Sequence, residues 1–388
     1  MSTAPSRLGA TLREGERVTP LELFFDLVFV LAITQCTALM AHHPTWSGLV
    51  QGLLVLGMLW WAWTGYSWLT SVLDPEEGAV RLVMFGAMAA LLLVSLCVPE
   101  AFGSLALVFA LIYGVVRAAH IALFVLASPD DDGLRHSVLG LAASTAVAVA
   151  LLAAASLFDG LAQGALWALA LLLDMGGPYF FGAEGWKLVP EHFAERHGLI
   201  VIIALGESIV AIGVGAAHEL SLGIGTAAVL GVALTAAMWW IYFDVVAIVS
   251  GRRLAEAEPG RVQNEMARDS YSYLHLLMVA GIVLVALGLK TTIGHVDDHL
   301  HAVPAFALLG GIAAYLLGHV AFRYRHVHTI NRQRLLLAIV LLILVPVATE
   351  VPALLALAVA TALLWAMIAY ETRNYGEGRR RVRRPQSA

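Results

Sequence analysis

The sequence predicts an all-α integral membrane protein of about 12 transmembrane helices, arranged as two parallel six-helix repeats with both termini cytoplasmic. Three observations predict it. First, of 388 residues 60% are hydrophobic and only 13% are charged, with a mean hydropathy of +0.81, whereas a soluble domain is nearer ~25% charged. Second, the apolar residues come in runs of the length that crosses a bilayer, roughly 20 residues at ~1.5 Å each. Third, the basic residues fall almost entirely on one side of those runs.

Taken in order, the predicted spans are 21–40, 49–72, 82–98, 105–126, 138–157 and 161–180 in the first half. The second half has 199–216, 224–249, 273–289, 303–322, 335–347 and 353–370. The polar stretch 1–20 carries Arg7, Arg13 and Arg17 and no small-residue cleavage site follows it, so it reads as a cytoplasmic tail before a retained first helix. Turns are marked by Asp74-Pro75, Ser128-Pro129-Asp130, Gly176-Gly177-Pro178 and Glu258-Pro259-Gly260. The eleventh span is short and ends at Pro346, and 373–388 is a basic tail containing Arg379, Arg380, Arg381, Arg383 and Arg384. Such a tail serves orientation and can meet anionic lipid. Cys36 and Cys97 both lie in apolar runs, which implies no disulfide framework.

With the N-terminus inside, all of the 23 Lys and Arg except Arg117, within a span, and Lys290, outside, lie in the tails or the cytoplasmic loops. That asymmetry supports an even number of spans. The halves 21–182 and 183–372 also answer each other. Glu22-Leu23-Phe24-Phe25-Asp26 matches Glu191-His192-Phe193-Ala194-Glu195, and Leu59-Trp60-Trp61-Ala62-Trp63 matches Met238-Trp239-Trp240-Ile241-Tyr242. Tyr113 with Arg117 matches Tyr315 with His319, and Trp167 matches Trp365. Six spans per half would make the repeats parallel, with a polar cavity for ligand expected between them.

Two stretches carry most of the specificity. One is Pro20-Leu21-Glu22-Leu23-Phe24-Phe25-Asp26-Leu27-Val28-Phe29-Val30; the other runs His192-Phe193-Ala194-Glu195-Arg196-His197-Gly198 and on through an apolar run to Gly206-Glu207-Ser208. Together they resemble the two hallmark segments of the bacterial low-temperature-requirement A (LtrA) membrane proteins, with no departure at Glu22, Asp26, Glu195, Arg196 or Glu207. The resemblance implies a multi-pass protein of the bacterial inner (plasma) membrane.

Charged residues inside apolar spans are costly and are functional candidates by default. Glu22 and Asp26, at i and i+4, share a helix face, where two carboxylates repel and can share a proton; Arg117 or Arg196 would pair with them. Glu207 lies eleven residues beyond Arg196, about 16 Å along the helix, near mid-membrane and on the same stripe. These three acids are the expected proton-handling groups. Glu195 falls on the stripe of Gly206 and Gly213, where a neighbouring helix is expected to approach closely. Arg117 must find a carboxylate, with Glu22, Asp26 or Glu207 favoured, or an anionic ligand. Glu195, Arg196, Asp244, His275, His319 and Trp240 are the remaining candidate substrate contacts, with Asp174 completing the intramembrane polar set. The paired Trp of spans two and eight can line a cavity or sit at the interface.

Function divides into three classes. Twelve spans, a repeat and intramembrane charge point to a proton-coupled secondary transporter of a small solute, an anion among the candidates. The cytoplasmic bias of the polar residues points instead to an intramembrane enzyme working on an amphipathic or lipid substrate. A sensor or scaffold would leave costly charges unused. No phosphate-cradling Gly loop, zinc-protease motif, Gly-x-Ser-x-Gly elbow or haem-attachment motif occurs. No cofactor, resident metal or nucleic-acid partner is implied; membrane lipid and a small molecule are the expected partners, and a homo-oligomer is compatible. The His295, Asp297, Asp298, His299 and His301 loop reads as solvated, since no fixed ligand spacing supports a metal site.

Overall fold

The computed structural model describes the backbone of residues 17–76, 78–127, 132–180, 186–216 and 221–383. Arg7, Arg13, Arg384 and the Ser128-Pro129-Asp130 turn lie outside the described residues, as do the side chains of Arg380, Arg381 and Arg383. Among the described residues the protein is all helical, at 86% helix. In chain order the helices are α1 (Pro20–His42), α2 (Trp46–Thr70), α3 (Gly78–Glu100), α4 (Ala106–Ala127), α5 (Asp132–Ala155) and α6 (Gly160–Phe180). Then come α7 (Pro190–Gly215), α8 (Leu222–Ala255), α9 (Arg261–Gly294), α10 (Ala302–Val327), α11 (Arg332–Ala348) and α12 (Ala353–Arg383).

Each predicted span is found as a helix. Among the described residues eleven are long and apolar enough to cross a membrane; α11, at 17 residues, is the short one. Helices satisfy their own backbone groups, which is what hydrocarbon demands. The outer faces are correspondingly apolar, with Leu82 71% and Val229 70% exposed. Gly260, at φ 98°, makes the predicted turn before α9.

Gly176-Gly177-Pro178 does not make a turn. Pro178 lies inside α6 and Pro346 inside α11. Proline removes one hydrogen bond from a helix, and near a membrane-helix end that loss is tolerated. The interruptions occur instead where the sequence is unremarkable: π-helical stretches at Tyr242–Val246 in α8, Arg268–Leu274 in α9 and Phe306–Gly310 in α10, and a non-helical Tyr375 in α12.

The chain forms two compact units. The first holds α1 to Leu39, α2 from Val50, α3 to α6, the start of α7 to Arg196, and Ala257–Ala267. Here α2 is the enclosed helix, with Trp63, Tyr66 and Leu69 fully buried. The second holds Met40–Leu49, α7 from His197, α8 to Glu256, and everything from Arg268 onward. Its core is a close α9–α10 contact: a Cβ on Gly281 would stand 2.7 Å from the Gly311 carbonyl oxygen and the Tyr315 nitrogen, and one on Gly288 2.7 Å from the Leu308 Cα. Small residues let membrane helices approach to backbone contact. Gly206 and Gly213 do not serve this purpose, because a Cβ on either would meet nothing within 4 Å.

Candidate functional site

In the first unit α1 places Glu22 and Asp26 on one face, one turn apart, and both are fully buried. The start of α7 supplies the counter-charge. Arg196 donates from Nη1 to Glu22 Oε1 at 2.8 Å and from Nη2 to Asp26 Oδ1 at 2.7 Å. His192, one turn before Arg196, brings Nε2 to 2.9 and 3.1 Å from the two Glu22 oxygens. From α2, Trp63 Nε1 donates to Asp26 Oδ1 at 2.9 Å and Thr70 Oγ1 accepts from Arg196 at 3.2 Å. The Trp63 ring also lies 5.7 Å from the guanidinium carbon, in cation–π range. Asp26 Oδ2 is buried with no hydrogen-bond partner. Two carboxylates facing one arginine leave a formal charge of −1 if His192 is neutral, so one added proton neutralises the cluster.

Arg117 does not join this group. Its Nη2 donates to Asp174 Oδ1 at 3.0 Å and to Thr145 Oγ1 at 3.1 Å, with Arg117 1% and Asp174 0% exposed. Tyr113 and Thr145 donate to the same carboxylate at 2.7 and 2.6 Å. The expected partners Glu22, Asp26 and Glu207 are thus replaced by an acid of α6, because α4, α5 and α6 are consecutive packed helices and Asp174 is the acid within reach. Gly65 of α2 fits against this pair, since a Cβ there would stand 2.9 Å from Arg117 Nη1 and from His120 Cε1. Tyr66 links the two groups across α2, with its ring 5.0 Å from Phe25 and 5.5 Å from His120.

The remaining candidates divide. Glu195 is exposed on α7 and accepts the Val18 backbone N–H at 3.0 Å, so its partner is the chain entering α1 and not Arg196. Glu207 belongs to the second unit and is 3% exposed. Also in that unit, Tyr242, in the π-helical stretch of α8, brings two predicted residues, His275 and His319, together. Tyr242 donates its phenol proton to His275 Nε2 at 2.8 Å, and His275 Nδ1 donates to the Ser270 carbonyl at 3.1 Å. His319 packs edge-on to Tyr242 and Tyr315, at 5.9 and 4.5 Å. Asp244, two residues past Tyr242, pairs with Arg379 Nε at 3.3 Å. Trp240 is half-buried, 6.4 Å from Trp365, and Trp239 is exposed, so the Trp pair of α8 does not form one lining.

Sequence reading missed His192 as a partner of Glu22, although its i, i+4 spacing to Arg196 put both on one face. It missed Arg334 and Glu371 as well, a buried bidentate pair at 3.0 Å joining the start of α11 to the end of the apolar run of α12. Charges at facing ends of consecutive antiparallel spans were the available signal. Among the described residues no group of three or more His, Cys, Asp or Glu side chains could hold a metal ion.

The sequence profile for "Bacterial low temperature requirement A protein (LtrA)" matches residues 17–369. The uncharacterized protein RA0937 of Rhizobium meliloti (strain 1021) is 31% identical over 312 residues, covering 76% of this chain and 75% of that one. No solved structure matches. With both hallmark segments, the buried Glu22–Asp26–Arg196 cluster they form, and a match over nearly the whole chain, the protein belongs to the bacterial low-temperature-requirement A family of multi-pass membrane proteins.

Proposed function

We propose that the protein is a proton-coupled secondary transporter of a small solute in the bacterial inner membrane, with both termini cytoplasmic and two parallel six-helix repeats. The observation that carries this reading is the Glu22–Asp26–Arg196–His192 cluster, buried in apolar helices and one proton short of neutrality. A group that can gain and lose one proton where net charge is expensive is what coupling requires. Glu207, buried in α7, is the second proton-handling carboxylate. The asymmetry of Lys and Arg supports the orientation, and the matched Tyr113/Arg117 and Tyr315/His319 positions support the repeat. Proteoliposomes containing a pH-sensitive dye, challenged with pooled cytoplasmic metabolites, test it. Solute-dependent proton movement supports transport, and its absence with folded protein contradicts it.

A second reading, an intramembrane enzyme acting on an amphipathic substrate, is favoured by the Tyr242–His275 pair, in which a phenol and an imidazole share a buried hydrogen bond. Such a pair can pass a proton to or from a substrate. A chemical product formed from lipid or metabolite pools would support this reading over the first.

A further inference from the structure

The second unit contains a cavity of about 550 Å3, walled by α10, α11, α12 and the π-helical stretch of α8. That volume lies within the range of small-molecule sites, roughly 300–1,000 Å3. One side is apolar, with Val246, Val249, Phe322 and Ile330; the other carries Arg323, Arg334, Arg379 and Glu371.

The charges do not balance. Arg334 forks onto Glu371 at 3.0 Å, and Asn331 Nδ2 donates to the same carboxylate at 2.8 Å. Arg379 reaches Glu371 at 3.1 Å and Asp244 at 3.3 Å. Arg323, exposed at the edge of the cavity, donates to Thr329 Oγ1 at 3.0 Å and has no carboxylate partner among the described residues. Three guanidinium groups and one carboxylate, Glu371, therefore line the cavity, and Asp244, outside the lining, pairs with Arg379. Beside them His319, 1% exposed, lines the cavity with neither ring nitrogen hydrogen-bonded, and His326 Nε2 is likewise without a partner. Buried polar groups are nearly always satisfied, and an imidazole always has at least one N–H to give.

The surrounding backbone is shaped to this space. A residue eight positions along a straight helix lies about 12 Å further on. The break at Tyr375 (φ −121°, ψ 17°) lets Arg379 reach back to Glu371 and Thr372. His328 adopts φ 52°, a conformation that non-glycine residues seldom take, where α10 turns toward Thr329 and Asn331. The stretch Tyr242–Val246 departs from α-helical register on the opposite wall, a feature frequent at functional sites.

We infer that this cavity binds an amphipathic anion, a carboxylate or phosphate-type head carrying a short apolar body. The head sits among Arg323, Arg334 and Arg379, the body lies along Val246, Val249 and Phe322, and His319 supplies a donor at the wall. The inference concerns binding alone and goes beyond the transport reading. It is tested with no gradient present, so a failure of coupled transport leaves it standing.

The test is calorimetric titration of the full-length protein in uncharged detergent with hexanoate, hexyl phosphate and hexyltrimethylammonium. Saturable binding of either anion, with none of the cation, is expected. Arg323→Gln removes no ion pair, so the fold persists, and it should weaken anion binding about tenfold or more; His319→Phe, which keeps an aromatic ring, should weaken it as well. Weakening in either variant supports the site. Three results overturn it: no saturable anion binding by folded protein, equal binding of the cation, or wild-type affinity in both variants. Nanodiscs distinguish the source of the anion. Weaker hexanoate binding in phosphatidylglycerol than in phosphatidylcholine assigns the site to a lipid headgroup, equal binding assigns it to a soluble anion, and both outcomes uphold an anion site.

Discussion

Arg196 Nη2 lies 2.7 Å from Asp26 Oδ1, joining positions 170 residues apart with both side chains fully buried. The same guanidinium holds Glu22, so a single cation restrains two carboxylates. Taking it away strands both. Arg196→Gln is expected to destabilise the folded protein by ~3–5 kcal/mol, the usual cost of breaking a buried pair from one side. Thermal unfolding in detergent checks this, and Asp26→Asn, which keeps an oxygen for Trp63 and Arg196, should unfold at a temperature much closer to wild type.

Arg117 and Asp174 form a second buried pair. Arg117→Leu or Asp174→Leu alone leaves one charge unpaired in an apolar bundle, at a cost of ~3–5 kcal/mol. The double substitution should recover most of that loss, and a double-mutant cycle reads the coupling directly. Additive losses would show that the two side chains do not depend on each other.

Glycines give a contrast that needs no electrostatics. Gly281→Ala places a Cβ against the Gly311 and Tyr315 backbone and should cost ~1–3 kcal/mol through overpacking. Gly65→Ala should also destabilise, by pushing on Arg117 and His120. Gly206→Ala and Gly213→Ala meet open space, and the helix-propensity gain of up to ~1 kcal/mol leaves them neutral or stabilised. Melting temperatures of the four variants test the ranking.

The helices were legible in the sequence because a bilayer imposes one length and one polarity, and runs such as 21–40 and 353–370 can be little else. The Glu22–Asp26–Arg196 cluster was partly legible, since one helix face carried both acids and Arg196 had to find a partner. Arg117 was misassigned because its partner depends on which helices pack side by side, and periodicity does not say that α6 brings Asp174 within reach. The spacing of Gly206 and Gly213 suits a contact stripe, yet among the described residues nothing comes within 4 Å of a Cβ at either. The π-helical stretches arise from one extra residue per turn, a change of register that leaves no compositional trace. That is why the contact of Tyr242 with both His275 and His319 emerged only in three dimensions.

Conservative substitutions separate charge from shape. Glu207→Gln and Asp26→Asn keep volume and hydrogen-bonding oxygen while removing the exchangeable carboxyl proton, so both should fold and purify like wild type. Size-exclusion elution and unfolding temperature check that expectation, and aggregation of either would mean that its carboxylate is needed for folding.

The decisive measurement is proton flux in proteoliposomes carrying a pH-sensitive dye, made with wild type, Asp26→Asn and Glu207→Gln in parallel and supplied with the same metabolite pool. Solute-dependent flux in the wild type, abolished in both folded variants, is the expected result. Undiminished flux in the variants, or none in folded wild type, would contradict proton coupling through these carboxylates.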